Sequence, residues 1–326
     1  MKVSVVIPAH NADATLAECL AACAHQTHQD VEIIVVDDGS KDGTSAIAHS
    51  YRVNLLVQPN RGPAAARNAG AAAANGEVIA FTDADCVPHE DWIDRLIAPL
   101  DDTVAAVGGA YGTANPKSAL ARFVHAEILS RYANYRDTID FAGSYNVAIR
   151  RHVFDEIEGF DTDFKTSSAE DNDLCYRLAD AGYAIAFARD AVVDHHHPTY
   201  VWKYLRTQMR HGYWRMKLYA KHPGRKSGDH YASGVELWAP VYAVASLAAL
   251  LLSGIFTRNT GLIGVALVFV LLLYAYRFVT AARIARFGRD ISIPFAAMVL
   301  FSRDVARGIG LIGGSWRFLV LRKTTA

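Results

Sequence analysis

Residues Gly76–Cys86 read GEVIAFTDADC. Val78–Phe81 is an apolar run of strand length, and it leads directly into Thr82-Asp83-Ala84-Asp85. A buried strand that ends in two carboxylates is an unusual combination. Burying a lone carboxylate costs roughly several kcal/mol, so such groups have a cation, a metal or hydrogen bonds beside them. One residue apart at a strand's C-terminal end, Asp83 and Asp85 can face a crevice. There they suit a hard divalent cation whose open positions take phosphate oxygens. A polar turn after a strand has the same letters, because D-x-D is a common triplet, so the flanking chain decides.

Upstream, Val3–Ile7 is a β-branched run ended by Pro8. Ala12–Ala24 follows at helical spacing, with Leu16, Cys19, Leu20 and Cys23 on one side and Asp13 as the expected cap. Val31–Val36 is a second strand and ends in Asp37-Asp38-Gly39-Ser40. A helix through Tyr51, a strand over Val53–Val57 and an alanine-rich helix over Ala64–Ala74 come next, with Pro63 in the first turn of the last. Downstream, Glu90–Leu100 reads as a helix and Val104–Gly108 as a strand. Strand and helix alternate and the strands are continuously apolar. The fold class is therefore α/β, a mostly parallel, Rossmann-like sheet covered on both faces. Ligands of such sheets sit beyond the strand C-termini, which puts Asp37-Asp38 and Asp83/Asp85 at one crevice.

The next stretch is less regular. Ala142–Ile149 reads as a strand, Gly159-Phe160-Asp161 as a turn, and Ser168-Ala169-Glu170-Asp171 as the capped start of a helix. His195, His196 and His197 are consecutive. Tyr200–Lys221 is a helix that interleaves aromatic and basic residues, a mixture that fits nucleic acid or the headgroup layer of a membrane.

The C-terminal third favours the membrane. Residues 237–256 and 261–278 are two apolar stretches long enough to span a hydrocarbon core of roughly 30 Å, and Arg277 is expected to snorkel from the end of the second. Both outer flanks are rich in Lys and Arg, whereas the connecting loop has only Arg258, so both flanks are expected on the cytoplasmic side. Val305, Ile309, Ile312, Trp316 and Leu319 recur at helical spacing as an interfacial helix, which Gly308, Gly310, Gly313 and Gly314 weaken. The expected layout is a cytoplasmic catalytic domain over 1–220 and a membrane region over 221–326, in a multi-pass protein of the inner (plasma) membrane. Lys+Arg and Asp+Glu both number 33, so global charge calls for no polyanionic partner, and no nucleic acid is expected. Cys19, Cys23, Cys86 and Cys175 form no ligand-spaced array and fit a reducing compartment. The opening MKVSVVIPAHN is strand-like and unlike a signal peptide.

VSVVIPAHN, QTHQDVEIIVVDDGSKDGT, NRGPAAARNAG and GEVIAFTDADC, in that order, resemble the family-2 glycosyltransferases of the A-type nucleotide-sugar fold. GSYNVAIRR, GFDTDF, AEDNDLCYRL and VVDHHHP resemble the acceptor-side half, so the likeness covers about residues 1–220. The resemblance implies a nucleoside diphosphate sugar donor. Pro8, Ala9, His10 and Asn11 would line the base pocket, with His10 in place of a commoner aromatic. Asp38 would accept from the base N–H. Arg61 or Arg67 would neutralise phosphate or brace Asp38, and Arg67 is the favoured brace. Asp83-Ala84-Asp85 matches the family's D-x-D: Asp85 would bind Mg²⁺ or Mn²⁺, and Asp83 would contact ribose or metal-bound water. His195, or His197 second, would complete the metal shell. Asp171 matches the general base, with Glu170 beside it to hold the acceptor. Gly143, Asn146 and Asp161 are candidates for shaping the sugar pocket.

The Q-x-x-R-W signature of processive synthases is missing, and the membrane part is too small for an obvious polymer channel. The expected activity is therefore an inverting, metal-dependent transfer of a single sugar, of hexosyltransferase type. The acceptor would be a hydroxyl or phosphate of a lipid-linked or glycan molecule at the membrane surface. A non-catalytic membrane scaffold with the same fold is the alternative. Intact Asp83, Asp85, Asp171 and His195 count against it. A sugar nucleotidyltransferase lacks support, because Pro8–Thr15 contains no glycine.

Overall fold

A computed structural model of the chain describes residues 1–225, 234–253, 255 and 260–321. The chain divides into two compact units, one made of residues 1–115 and 134–196, the other of 116–133 and 197–326. The sequence expectation put the division at residue 220. The short insertion 116–133 and the chain from His197 onward belong together instead.

The first unit is built on a nine-stranded mixed sheet. In chain order it runs β1 (Val3–Ala9), α1 (Leu16–Ala24), β2 (Val31–Asp37), α2 (Thr44–His49), β3 (Asn54–Val57), α3 (Pro63–Ala73), β4 (Val78–Thr82), β5 (Cys86–Pro88), α4 (Trp92–Ile97) and β6 (Val104–Thr113). After the insertion, which carries α5 (Ala119–Tyr132), come β7 (Thr138–Ile139), β8 (Asn146–Arg150), α6 (Arg151–Glu156), α7 (Glu170–Asp180) and β9 (Ala184–His195). The strand order is β3-β2-β1-β4-β8-β6-β9-β5, with β7 on β9. β3, β2, β1 and β4 are mutually parallel, whereas β8 runs antiparallel to both β4 and β6.

The chain lays β2 and β3 on one side of β1, then crosses back to place β4 on the other. That reversal is a topological switch point, where strand C-termini diverge and leave a crevice. β4 is buried along its whole length because helices cover both faces. Gly70 lets α3 close on the sheet, since a Cβ there would lie 2.4 Å from Val6 Cγ1. Helix α1 starts at Leu16, not Ala12. Asp13 is drawn away, its N–H donating to Asp42 Oδ2 at 3.2 Å.

The second unit is helical: α5, α8 (Val201–Lys221), α9 (Gly234–Leu252), α10 (Thr260–Ile284) and α11 (Ile293–Ser315). Its core includes Phe123, Tyr204, Ala281, Ala296 and Leu300. Two of the glycines expected to weaken the last helix, Gly310 and Gly314, make its contact with α8. A Cβ on Gly310 would lie 2.0 Å from the Met209 carbonyl oxygen, and one on Gly314 2.3 Å from that of Tyr213. Only hydrogen at these positions lets the two backbones meet. Arg277 does not snorkel. It is fully buried and binds the equally buried Asp304 through two hydrogen bonds of 2.6 and 2.8 Å. The pairing keeps a charge inside a helical layer that would reject it alone. Arg303, next to Asp304, donates to Glu127 of α5, and Arg307 donates to Gln208 of α8 at 2.8 Å.

Among the described residues, one stretch is long and apolar enough to cross a membrane, Gly261–Phe287. Trp238–Leu252 is apolar but shorter. Of the two expected spans, the end of the first and residues 257–259 of the connecting loop lie partly or wholly outside the described residues.

Candidate active site

Four strand ends supply the site. At the end of β2, the Asp38 carboxylate is buried. Its Oδ1 accepts from Gln58 Nε2 at 2.7 Å and Arg61 N at 2.8 Å, and its Oδ2 from Gly62 N at 2.9 Å. Asp38 thus holds the loop that opens α3. Gly39, at φ 74°, makes this possible, since a Cβ there would lie 2.8 Å from Asn60 N. The expected brace, Arg67, does not reach Asp38; backbone amides and Gln58 take that role. Asp38 keeps one lone-pair direction on Oδ2, because a carboxylate accepts about four hydrogen bonds.

At the end of β1, His10 is exposed. Its Nδ1 lies 2.9 Å from the Asp38 carbonyl oxygen, so Nδ1 carries the proton. Nε2 then accepts from the Asn11 amide at 3.0 Å. Asn11 in turn accepts from Lys41 N at 2.9 Å, which ties the Pro8-Ala9-His10-Asn11 loop to the loop after β2.

Arg67, on α3, is buried to 1% exposure. One guanidinium nitrogen lies 2.7 Å from Asp83 Oδ1, and another lies 3.3 Å from Glu170 Oε1. Its Cζ lies 5.5 Å from the centre of the Phe160 ring. Burial works against its charge, but Asp83, Asp171 and Glu170 together hold Arg67 protonated above its ordinary range. A single buried cation therefore joins the D-x-D turn to the acid pair that opens α7.

Asp85 faces elsewhere. β5 pairs antiparallel with β9, Cys86 opposite His195, and His196 N donates to the Asp85 carbonyl oxygen at 3.0 Å. This register brings His195 Nε2 to 3.4 Å from Asp85 Oδ2. Desolvation pushes the Asp85 carboxyl up, but the His195 hydrogen bond and charge prevail and hold it below its ordinary range. The His195 ring stacks on Tyr111 at 4.7 Å, and Tyr111 stacks on Tyr145 at 3.7 Å. Gly143 admits this stack, because a Cβ there would lie 2.0 Å from Tyr145 Cε1.

Ligand atoms of Asp85, Cys86 and His195 lie within 4.8 Å of one another. A carboxylate oxygen and an imidazole nitrogen are a fitting donor pair for a divalent ion. Cys86 is fully buried, and that burial pushes its thiol well up. His196 instead contacts Glu18 at 2.9 Å. His197 belongs to the second unit, where its ring packs 5.7 Å from that of His125.

The acid pair opens α7 without the side-chain cap expected from Ser168. The N-cap residue is Ala169, in the left-handed conformation at φ 74°. Glu170 turns inward at 1% exposure, its Oε2 accepting from Ser168 N at 2.5 Å. Burial, then the neighbouring Asp171, push its carboxyl up to about 8. It is an inner strut and not a group reaching for an acceptor. Burial also raises Asp171, against the opposing pull of the Arg67 charge and of the neighbouring Ser144. Its Oδ1 is buried with no hydrogen-bond partner among the described residues. Asp173 is engaged by Arg177 at 2.9 Å.

Asn146, a candidate for the sugar pocket, is fully engaged in the core. Its amide accepts from Trp92 Nε1 at 2.7 Å and donates to the carbonyls of Ala110 and Ala191, each at 2.9 Å. It pins β6, β8 and β9 together. Asp161 caps its own turn, accepting from Asp163 N at 2.8 Å. Sequence reasoning missed Ser144 and the Tyr111–Tyr145 stack.

Residues 4–158 match the family described as Glycosyl transferase family 2. The chain carries a family 2 glycosyltransferase domain. It is 32% identical over 207 residues to glycosyltransferase AglE of Haloferax volcanii, covering 59% of this chain and 66% of that one. It is 31% identical over 224 residues to the probable glycosyltransferase YdaM of Bacillus subtilis, covering 62% of this chain and 52% of the relative. The chain thus spans about half to two thirds of the length of these relatives. The domain's fold is also that of the mannosyltransferase PcManGT from Pyrobaculum calidifontis, solved with GDP-Man and Mn²⁺. That likeness has a TM-score of 0.58 at 21% identity, covering 94% of this chain and 86% of the other. Within the domain, the D-x-D turn sits at the switch point of the sheet, as its place after β4 requires.

Proposed function

We propose that the protein transfers a single sugar, with inversion, from a nucleoside diphosphate sugar to a hydroxyl or phosphate of a lipid-linked or glycan acceptor. The reaction would take place at the cytoplasmic face of the inner membrane, to which two C-terminal spans anchor the chain. The observation that carries this reading is the open oxygen of Asp171. A buried carboxylate oxygen without a partner is costly and calls for a function. Here it belongs to a group whose proton affinity burial has raised, as a general base requires.

The roles follow from the contacts. The loops at Pro8–Asn11 and Asp38 receive the base of the donor. Asp85 and His195 would hold Mg²⁺ or Mn²⁺, which supplies Lewis-acid stabilisation of the departing diphosphate. Arg67 fixes Asp83 and Glu170 relative to each other, so the donor side and the acid pair keep one geometry. The unpartnered Asp171 oxygen would accept the acceptor's proton as the new bond forms. The Tyr111–Tyr145 stack holds the His195 ring in place.

The test is a panel of UDP-, GDP- and TDP-sugars with and without Mn²⁺ or EDTA, scored by release of free nucleotide. Metal-dependent release from one nucleotide class supports the reading. Release from none, in a protein that binds the same sugars, would favour the scaffold alternative.

A further inference from the structure

Helix α8 has six basic residues and no acidic one over Val201–Lys221. Five of them, Lys203, Arg206, Arg210, Lys217 and Lys221, recur at steps of three, four and seven residues. At 3.6 residues per turn they fall within an arc of about 60°, a basic row about 27 Å long. The burial pattern confirms the orientation. Tyr204, Gln208, Gly212 and Leu218 form the buried side, whereas Lys203, Arg206, Arg210 and Lys221 are exposed. Lys203, Arg206 and Arg210 have no carboxylate partner among the described residues; Arg210 reaches only Thr207 Oγ1, at 3.1 Å. Three like charges on one face with no carboxylate beside them repel one another, so they favour a complementary surface or water.

The aromatic residues indicate which surface. Tyr200 and Trp202, at the start of α8, are each 75% exposed. On α11 and at its C-terminal end in the same unit, Ile309, Ile312 and Trp316 are 51%, 59% and 62% exposed. Exposed Trp and Tyr beside cations, in the unit that holds the apolar span Gly261–Phe287, are the composition of a headgroup layer. Nucleic acid would explain the cations but not the exposed aliphatic residues of α11.

We infer that the outer face of α8 is a docking surface for anionic phospholipid headgroups, with Lys203, Arg206 and Arg210 as its core. The inference rests on the membrane anchoring proposed above and adds a lipid preference to it. Each cation near an anionic surface adds to the attraction, so three act together as a selective, salt-sensitive contact.

The full chain is placed in nanodiscs of phosphatidylcholine alone, or of phosphatidylcholine with phosphatidylglycerol. Acylation of Lys203 is then followed by mass spectrometry. Labelling should be roughly tenfold slower in the anionic discs, and high salt should remove the difference. The exposed double variant Arg206→Gln/Arg210→Gln, checked for native helicity, should lose most of the protection. Equal labelling in the two disc types would overturn the lipid preference and leave the anchoring intact. Failure of the chain to enter either disc would overturn both. An RNA or DNA oligonucleotide that protects Lys203 as well as phosphatidylglycerol at physiological salt would reassign the face to nucleic acid.

Discussion

Asp171→Asn keeps the shape but cannot take a proton. Transfer should fall by about 10²–10⁴-fold while donor binding is retained, as measured by turnover beside nucleotide-sugar titration. Glu170 gives a second residue-scale expectation. Its carboxyl titrates near 4.5 when free and is pushed up to about 8 in the fold. Between those values the folded chain keeps a proton that the unfolded chain has released. Its contribution to stability is therefore complete below pH 4.5 and is lost as pH rises through about 8. Glu170→Gln should flatten the fall of Tm with pH across that window. The acids themselves were legible in the sequence. Their partners were not, because Arg67 is 103 residues from Glu170 and nothing local pairs them. Asn146 was misjudged for the same reason: its backbone acceptors are 36 and 45 residues away.

At the scale of elements, the strands β1, β2 and β4 were legible because each is a continuous apolar run ended by a turn or an acid. β9 was not. Its buried and exposed positions do not alternate cleanly, and its pairing with β6 shifts register at Gly109/Ala110. Helix α5 shows no clean apolar stripe, since it buries Glu127 as well as Phe123. The glycines of α11 were read as weaknesses because the facing backbone of α8 is invisible in a single chain segment. Gly310→Leu should thus destabilise by about 1–3 kcal/mol or more, because Met209's backbone cannot yield as a flexible side chain would. Gly264→Ala in α10, where a Cβ meets nothing within 4 Å, should be neutral or stabilising by up to about 1 kcal/mol. Thermal unfolding in detergent distinguishes the two.

For the molecule as a whole, the apolar span predicts retention in membranes through a high-salt wash and release only by detergent, read by fractionation and immunoblot. Recovery in the soluble fraction after the wash would contradict it. The sequence suggested a boundary at residue 220 because the family likeness runs that far. Packing groups the chain from His197 onward with residues 116–133, and within that unit α8 meets α11 through glycine. One small feature of the sheet unit bears on how such a molecule changes over generations. Ala169 holds a left-handed backbone directly before the acid pair, a conformation that costs an L residue on the order of 1 kcal/mol. Glycine would relax it. A search for heat-tolerant variants should therefore recover Ala169→Gly, with Tm unchanged or raised and kcat lowered, because a looser helix start lets Asp171 wander. An alanine at this position thus trades endurance for aim.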